Sequence, residues 1–209
     1  PYFSESGTMS DIAMIDERKV RDRARLQKVA VRHGAAVLAA FTLWGAADAW
    51  ALSSGLFLAE IIAMFNAIFA ATAIAYIAHE WGHFTGARFS GAISPVAKEP
   101  VSFFMFTFKD ELNTQGQFLA MSAGGSLANW TLVVLMCFML PLETWSQALF
   151  LATTVAIAVS VGVFEIPIIN RVMYGNDPTT AVQQRLKESG STPRIAGIAT
   201  GALVWLLAI

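Results

Sequence analysis

The sequence predicts an all-α polytopic membrane protein. It has about five transmembrane helices and a short β-hairpin or re-entrant segment between the second and third. Three observations lead there. Hydrophobic residues make up 56% of the chain and charged residues only 14%, against about 25% charged in a soluble domain. The apolar residues fall in runs of about 20, the length a helix needs to cross a bilayer. All 14 Lys and Arg fall on one side of the topology those runs define.

The chain divides into a basic N-terminal segment, 1–33, and a membrane domain, 34–209. Residues 11–33 carry Arg18, Lys19, Arg21, Arg23, Arg25, Lys28 and Arg32, a pattern suited to a cytoplasmic helix lying on anionic lipid. No short apolar stretch opens the sequence, so no cleavable signal peptide is expected. The five spans are expected at 34–52, 56–87, 118–140, 145–170 and 195–209, the last one short. Ser53-Ser54-Gly55 makes a tight turn after the first, and Pro141-Leu142-Glu143-Thr144 joins the third to the fourth. Neither turn contains a Lys or Arg, whereas Arg88, Lys98 and Lys109 follow the second span and Arg171, Arg185, Lys187 and Arg194 follow the fourth. The positive-inside rule then places the N-terminus in the cytoplasm, in a cell membrane of bacterial type. Between 89 and 116, Pro95, Pro100 and the β-prone run Val101-Ser102-Phe103-Phe104-Met105-Phe106-Thr107-Phe108 argue against a sixth crossing. Open strand edges are not tolerated in lipid, so this segment is expected to pack against the helices near the cytoplasmic face; an amphipathic surface loop is the alternative. Trp44, Trp50 and Trp145 fit interfacial positions.

Net charge is −1, which gives no basis for nucleic-acid binding. The single cysteine, Cys137, excludes a disulfide framework and a cysteine-rich metal site. Two of the three histidines stand in His79-Glu80-Trp81-Gly82-His83, inside the second span. On a helix, residues i and i+4 share one face, so both imidazoles can bind one Zn²⁺. Glu80 beside them is placed to act as general base on water activated by that metal. Ionisable groups within a span are costly and mark function. A catalytic zinc needs a third protein ligand, and the remaining histidine, His33, lies before the first span, so a carboxylate is expected. Asp110, Glu111, Glu165, Asp177 and Glu188 are on the correct side. By helical rise, His83 and His79 lie about 8 and 14 Å inside Arg88, and Glu165 about 9 Å inside Arg171, so depth favours Glu165. Asp177 would have to fold back, which the turn-forming Tyr174-Gly175-Asn176-Asp177-Pro178 permits. Asp177-Pro178 also suits a helix N-cap followed by proline.

These features together resemble the site-2 protease family of intramembrane zinc metalloproteases. The likeness rests on His79-Glu80-Trp81-Gly82-His83, on Gly125-Ser126-Leu127-Ala128-Asn129 (similar to the family's Gly-Pro-Leu-Ala-Asn), and on the path from Pro167 to Asp177. It covers roughly residues 56–185. The resemblance implies zinc held by His79, His83 and Asp177, with Glu165 the alternative third ligand, and Glu80 and Asn129 as catalytic residues. Asn129 would stabilise the oxyanion or hold the substrate backbone, unless it serves as a helix–helix hydrogen bond. The sequence departs from the family at Ser126, which replaces proline, and at Pro178, which replaces the glycine after the aspartate. The expected function is hydrolysis of peptide bonds in or near transmembrane segments of membrane-protein substrates, on the cytoplasmic side. The alternative is a catalytically inactive relative serving as a structural subunit of a larger membrane complex. A metal or proton transporter would need polar groups through the outer halves of the spans, which offer little beyond Asp48, Glu60 and Asn66.

Overall fold

The computed structural model describes residues 5–98 and 105–209, with side chains from residue 17 onward. Among the described residues six α-helices follow in order, with a short 3-10 turn, Asp110–Leu112, before the third: α1 (Glu5–Ser54), α2 (Phe57–Phe89), α3 (Gln115–Met139), α4 (Trp145–Met173), α5 (Pro178–Ser189) and α6 (Thr192–Ala208). Among the described residues, Glu17–Ser54 of α1, all of α2, all of α3 and all of α4 are long and apolar enough to cross a membrane. The chain is a multi-pass membrane protein of four such helices, or five if the α5–α6 pair, bent by 66°, counts as one broken span. Alone, α6 has 17 residues, about 26 Å of helix, short of a hydrocarbon core about 30 Å thick.

The basic segment and the first expected span are one helix with no break at residue 33. The Ser54–Leu56 turn closes with Gly55 at φ +64°, a conformation open to glycine at little cost. The fourth helix continues through Pro167 to Met173. The β-hairpin is not seen among the described residues, which hold a single antiparallel bridge, Val96 with Phe106. Residues 101–104 of the β-prone run lie outside them.

Small residues determine how the helices pack. One face of α2 carries Ala59, Ala63, Ala67, Ala70 and Ala71, each at most 1% exposed. Ala47 and Ala51 of α1 pack on its N-terminal end, at Ala59 and Ala63. Towards the C-terminal end of α2, Gly82, Gly86 and Gly124 let α2 and α3 touch backbone to backbone. A Cβ on Gly82 would stand 2.3 Å from Gly124 O, and one on Gly86 2.2 Å from Ala120 O. Gly197 of α6 meets Ala156 O of α4 in the same way, at 2.3 Å. Between membrane helices the hydrophobic effect is weak, because lipid tails are as apolar as Leu, so close van der Waals contact and hydrogen bonds hold the bundle. Phe57, Phe65, Phe69, Phe138 and Leu207 accordingly face outward.

The end of the bundle where α1 finishes and α4 starts has its own polar lock. Asp48 of α1 is buried and accepts hydrogen bonds from Thr144 Oγ1 (2.7 Å), Gln147 Nε2 (2.8 Å) and Ser146 Oγ at the start of α4. Its negative charge also faces the positive end of the α4 dipole. Trp44, expected at the interface, is only 4% exposed. It donates to Ser146 Oγ (3.3 Å) and packs on Phe150 with ring centroids 4.5 Å apart, so burial of its polar edge is compensated within the protein. Asp48→Ala leaves three donors without their acceptor. It should cost about 2–3 kcal/mol, read as a lower unfolding temperature in detergent, while Asp48→Asn should cost less.

Candidate metal centre

His79, Glu80 and His83 lie on consecutive turns of α2, and the two imidazoles project from one face. Their Nε2 atoms are 2.9 Å apart. His83 Nδ1 donates to the Met121 carbonyl of α3 at 2.8 Å. With its proton on Nδ1, that ring presents a lone pair at Nε2, the orientation metal-binding histidines take from their outer partners. Asn129 of α3 stands behind His79, with Nδ2 3.4 Å from Nδ1. Its Oδ1 is buried and has no partner. Turning the amide by 180° brings Oδ1 to Nδ1–H, which satisfies the oxygen and leaves His79 Nε2 free, as in His83. Trp81 points the other way and donates to His33 Nδ1 of α1 at 3.1 Å. The motif is thus braced from both sides.

The third group comes from α4. Glu165 Oε1 lies 3.3 Å from His79 Nε2 and 3.2 Å from His83 Nε2. The three atoms form a nearly equilateral triangle with edges of 2.9, 3.2 and 3.3 Å. A tetrahedral zinc with bonds of about 2.0–2.1 Å places its ligand atoms about 3.3 Å apart, so the donor set fits in both chemistry and spacing. His79, His83 and Glu165 form a group able to hold a metal ion. Glu165 is spaced i, i+3 and i+7 with Ile168 and Val172, which bury against Phe118 of α3; this stripe turns the carboxylate inward.

The structure brings Glu165, not Asp177, to the histidines. Asp177 is exposed and caps α5, accepting from Thr180 N and Thr180 Oγ1, both at 2.9 Å. It lies with Asp110 and Glu111 around a separate surface pocket, where Asp110 accepts from Thr179 Oγ1 at 2.6 Å. Glu188 pairs with Arg171 at 2.6 Å. The turn chemistry at Asp177 serves the helix start, and the carboxylate is already engaged there. Asn129, expected at the reacting centre, contacts the ring nitrogen of His79 that faces away from the ligand triangle.

Two positions carry more than the sequence suggested. Ser126 Oγ donates to Glu165 Oε2 at 2.6 Å, so this hydroxyl of α3 holds the carboxylate that faces the two imidazoles. Gly125 forms the floor under the rings. A Cβ there would stand 2.5 and 2.6 Å from His83 Cε1 and Nε2, and 2.7 Å from His79 Cε1. Glu80 is buried at 8% exposure and takes a hydrogen bond from the Met105 backbone. Beside these groups a cavity of about 710 Å³ opens among α2, α3, α4 and the α5–α6 corner, with Tyr76, Phe106, Phe164 and Arg194 in its walls.

Glu165→Ala should abolish metal binding and Asp177→Ala should retain it, measured as zinc per purified chain. Ser126→Ala and Gly125→Ala should each weaken metal affinity about 10- to 100-fold, the first by freeing the carboxylate and the second by displacing both rings. No protein-family model, curated protein or solved structure matches the chain.

Proposed function

We propose that the chain is an intramembrane zinc metalloendopeptidase. It hydrolyses peptide bonds in or near transmembrane segments of membrane-protein substrates, with the site towards the cytoplasmic face of a bacterial-type cell membrane. The observation that carries this reading is the triangle of His79, His83 and Glu165 with Glu80 on the adjoining residue and a cavity beside it. His79 Nε2, His83 Nε2 and a Glu165 oxygen would hold the zinc, which when bound lowers the pKa of water to about 7 and polarises a carbonyl. Glu80 takes the proton from the attacking water and passes it to the leaving amine. Burial suits it to this work, since few waters compete for its carboxylate. Ser126, Met121 and Asn129 hold the ligands still.

Substrate access is the harder step, because a helix hides its amides and has to unwind first. The segment around Val96 and Phe106 offers a template for an extended chain. Ala97 N donates to Met105 O and Thr107 N to Pro95 O, both at 3.0 Å. Val96 therefore turns its own N–H and C=O away from Phe106. There Asp22 accepts from Val96 N at 2.7 Å and Arg25 donates to Val96 O at 3.5 Å, so α1 closes that edge. Phe106 is on the opposite side and borders the cavity. In this reading an unwound substrate adds as a strand along the Phe106 edge, beside Glu80.

Glu80→Gln should keep its zinc and lose cleavage by about 10²- to 10⁴-fold. The assay is a panel of single-span reporter proteins, tagged on both sides, reconstituted with the protease in liposomes. Retained cleavage in Glu80→Gln would refute the mechanism. Wild-type protein that carries no zinc when purified without chelator would instead favour the structural-subunit reading.

A further inference from the structure

Pro167 lies inside α4, two residues beyond Glu165. Proline has no N–H, so the carbonyl four residues earlier loses its helical partner. That carbonyl belongs to Val163. An unpaired carbonyl is costly where no water reaches it. The partner comes from another helix. Arg185 of α5 donates from Nη2 to Val163 O at 2.6 Å and from Nε to Phe164 O at 3.3 Å. One guanidinium thus spans the two carbonyls that immediately precede Glu165. Its planar fork makes both bonds from one fixed group, which a lysine ammonium cannot reproduce.

Glu165 is the point where small displacements matter most. Its Oε1 lies 3.2 and 3.3 Å from the two imidazoles, and a metal site tolerates errors of about 0.2 Å in its ligand distances. We propose that Arg185 is a positioning residue of the metal centre. By satisfying the Val163 carbonyl that Pro167 leaves without its helical donor and bonding the next carbonyl as well, it fixes the stretch of α4 that carries Glu165 and so sets where the carboxylate stands relative to His79 and His83. The inference rests on the metal-centre reading. Arg185 touches none of the ligands and acts through the backbone. A second contact between the same helices, Arg171 with Glu188 at 2.6 Å, lies beyond Pro167 and serves as a comparison.

The test uses the full chain in detergent, loaded with Co²⁺, whose visible absorption reports ligand geometry. Arg185→Ala should bind Co²⁺ about 10- to 100-fold more weakly, with an altered visible spectrum, and Arg185→Lys should recover part of the loss. Glu188→Ala, which also unties α5 from α4, should leave affinity and spectrum unchanged. Pro167→Ala returns an N–H to Val163 O, so the loss caused by Arg185→Ala should shrink in that background. Unchanged Co²⁺ binding in Arg185→Ala would overturn the inference, as would an equal loss with and without Pro167. Wild-type protein that takes up no Co²⁺ would overturn the metal-centre reading and this inference with it. Normal uptake in the wild type with no effect of Arg185→Ala would overturn this inference alone.

Discussion

The structure depends first on how closely α2 and α3 approach one another. At Gly82, Gly86 and Gly124 the two backbones touch, with no room for a Cβ. That contact brings the Met121 carbonyl to His83, places Gly125 beneath both rings and puts Asn129 behind His79. Adding one methyl group at the crossing would push α3 outward and withdraw all three supports together. The glycines contribute no side-chain contact of their own; their effect is to let other groups reach. This is the usual use of small residues between membrane helices, where packing replaces hydrophobic association.

The second constraint is that polar groups inside the bundle find partners in the protein itself. Two carboxylates show how this is met. Asp48 near the end of α1 takes donors from the start of α4 and from nowhere else among the described residues. Glu165 towards the opposite end of the bundle takes one hydroxyl on Oε2 and faces two imidazole nitrogens with Oε1. The first carboxylate is saturated by neutral donors and ties two helices together. The second is held on one side only, and its other oxygen is presented to a site that two ring nitrogens share. That contrast separates a structural acid from one suited to binding a cation.

Much of this was legible in the sequence because the relevant patterns are local. Apolar run length locates the spans, and the His-Glu-x-x-His spacing puts two imidazoles on one face of α2. Asp177-Pro178 reads correctly as a helix start. The third carboxylate was not decided locally. Helical rise placed Glu165 at the depth of the histidines, while family resemblance pointed to Asp177, and the structure follows the depth. Ser126 looked like a departure from a motif because its partner is 39 positions away. A hydroxyl one residue after Gly125, at the depth of an uncompensated Glu165, was the available signal. Arg185 was counted only as a cytoplasmic positive charge, since sequence cannot show which carbonyl a long side chain reaches. Trp44 was misplaced for a related reason: whether a tryptophan faces lipid headgroups or the core depends on a neighbour, Ser146, far along the chain.

Helix α1 runs without a break from the polar lock at Asp48 to Asp22, which holds Val96. Those two residues are about 39 Å apart along a straight helix. The Asp22 end is fastened as well: Asp22 also pairs with Arg88 of α2 at 2.6 Å, and Trp81 of α2 donates to His33 of α1 at 3.1 Å. One continuous strut thus joins the Asp48 cluster to the Val96–Phe106 bridge, although it contributes no atom to the metal centre.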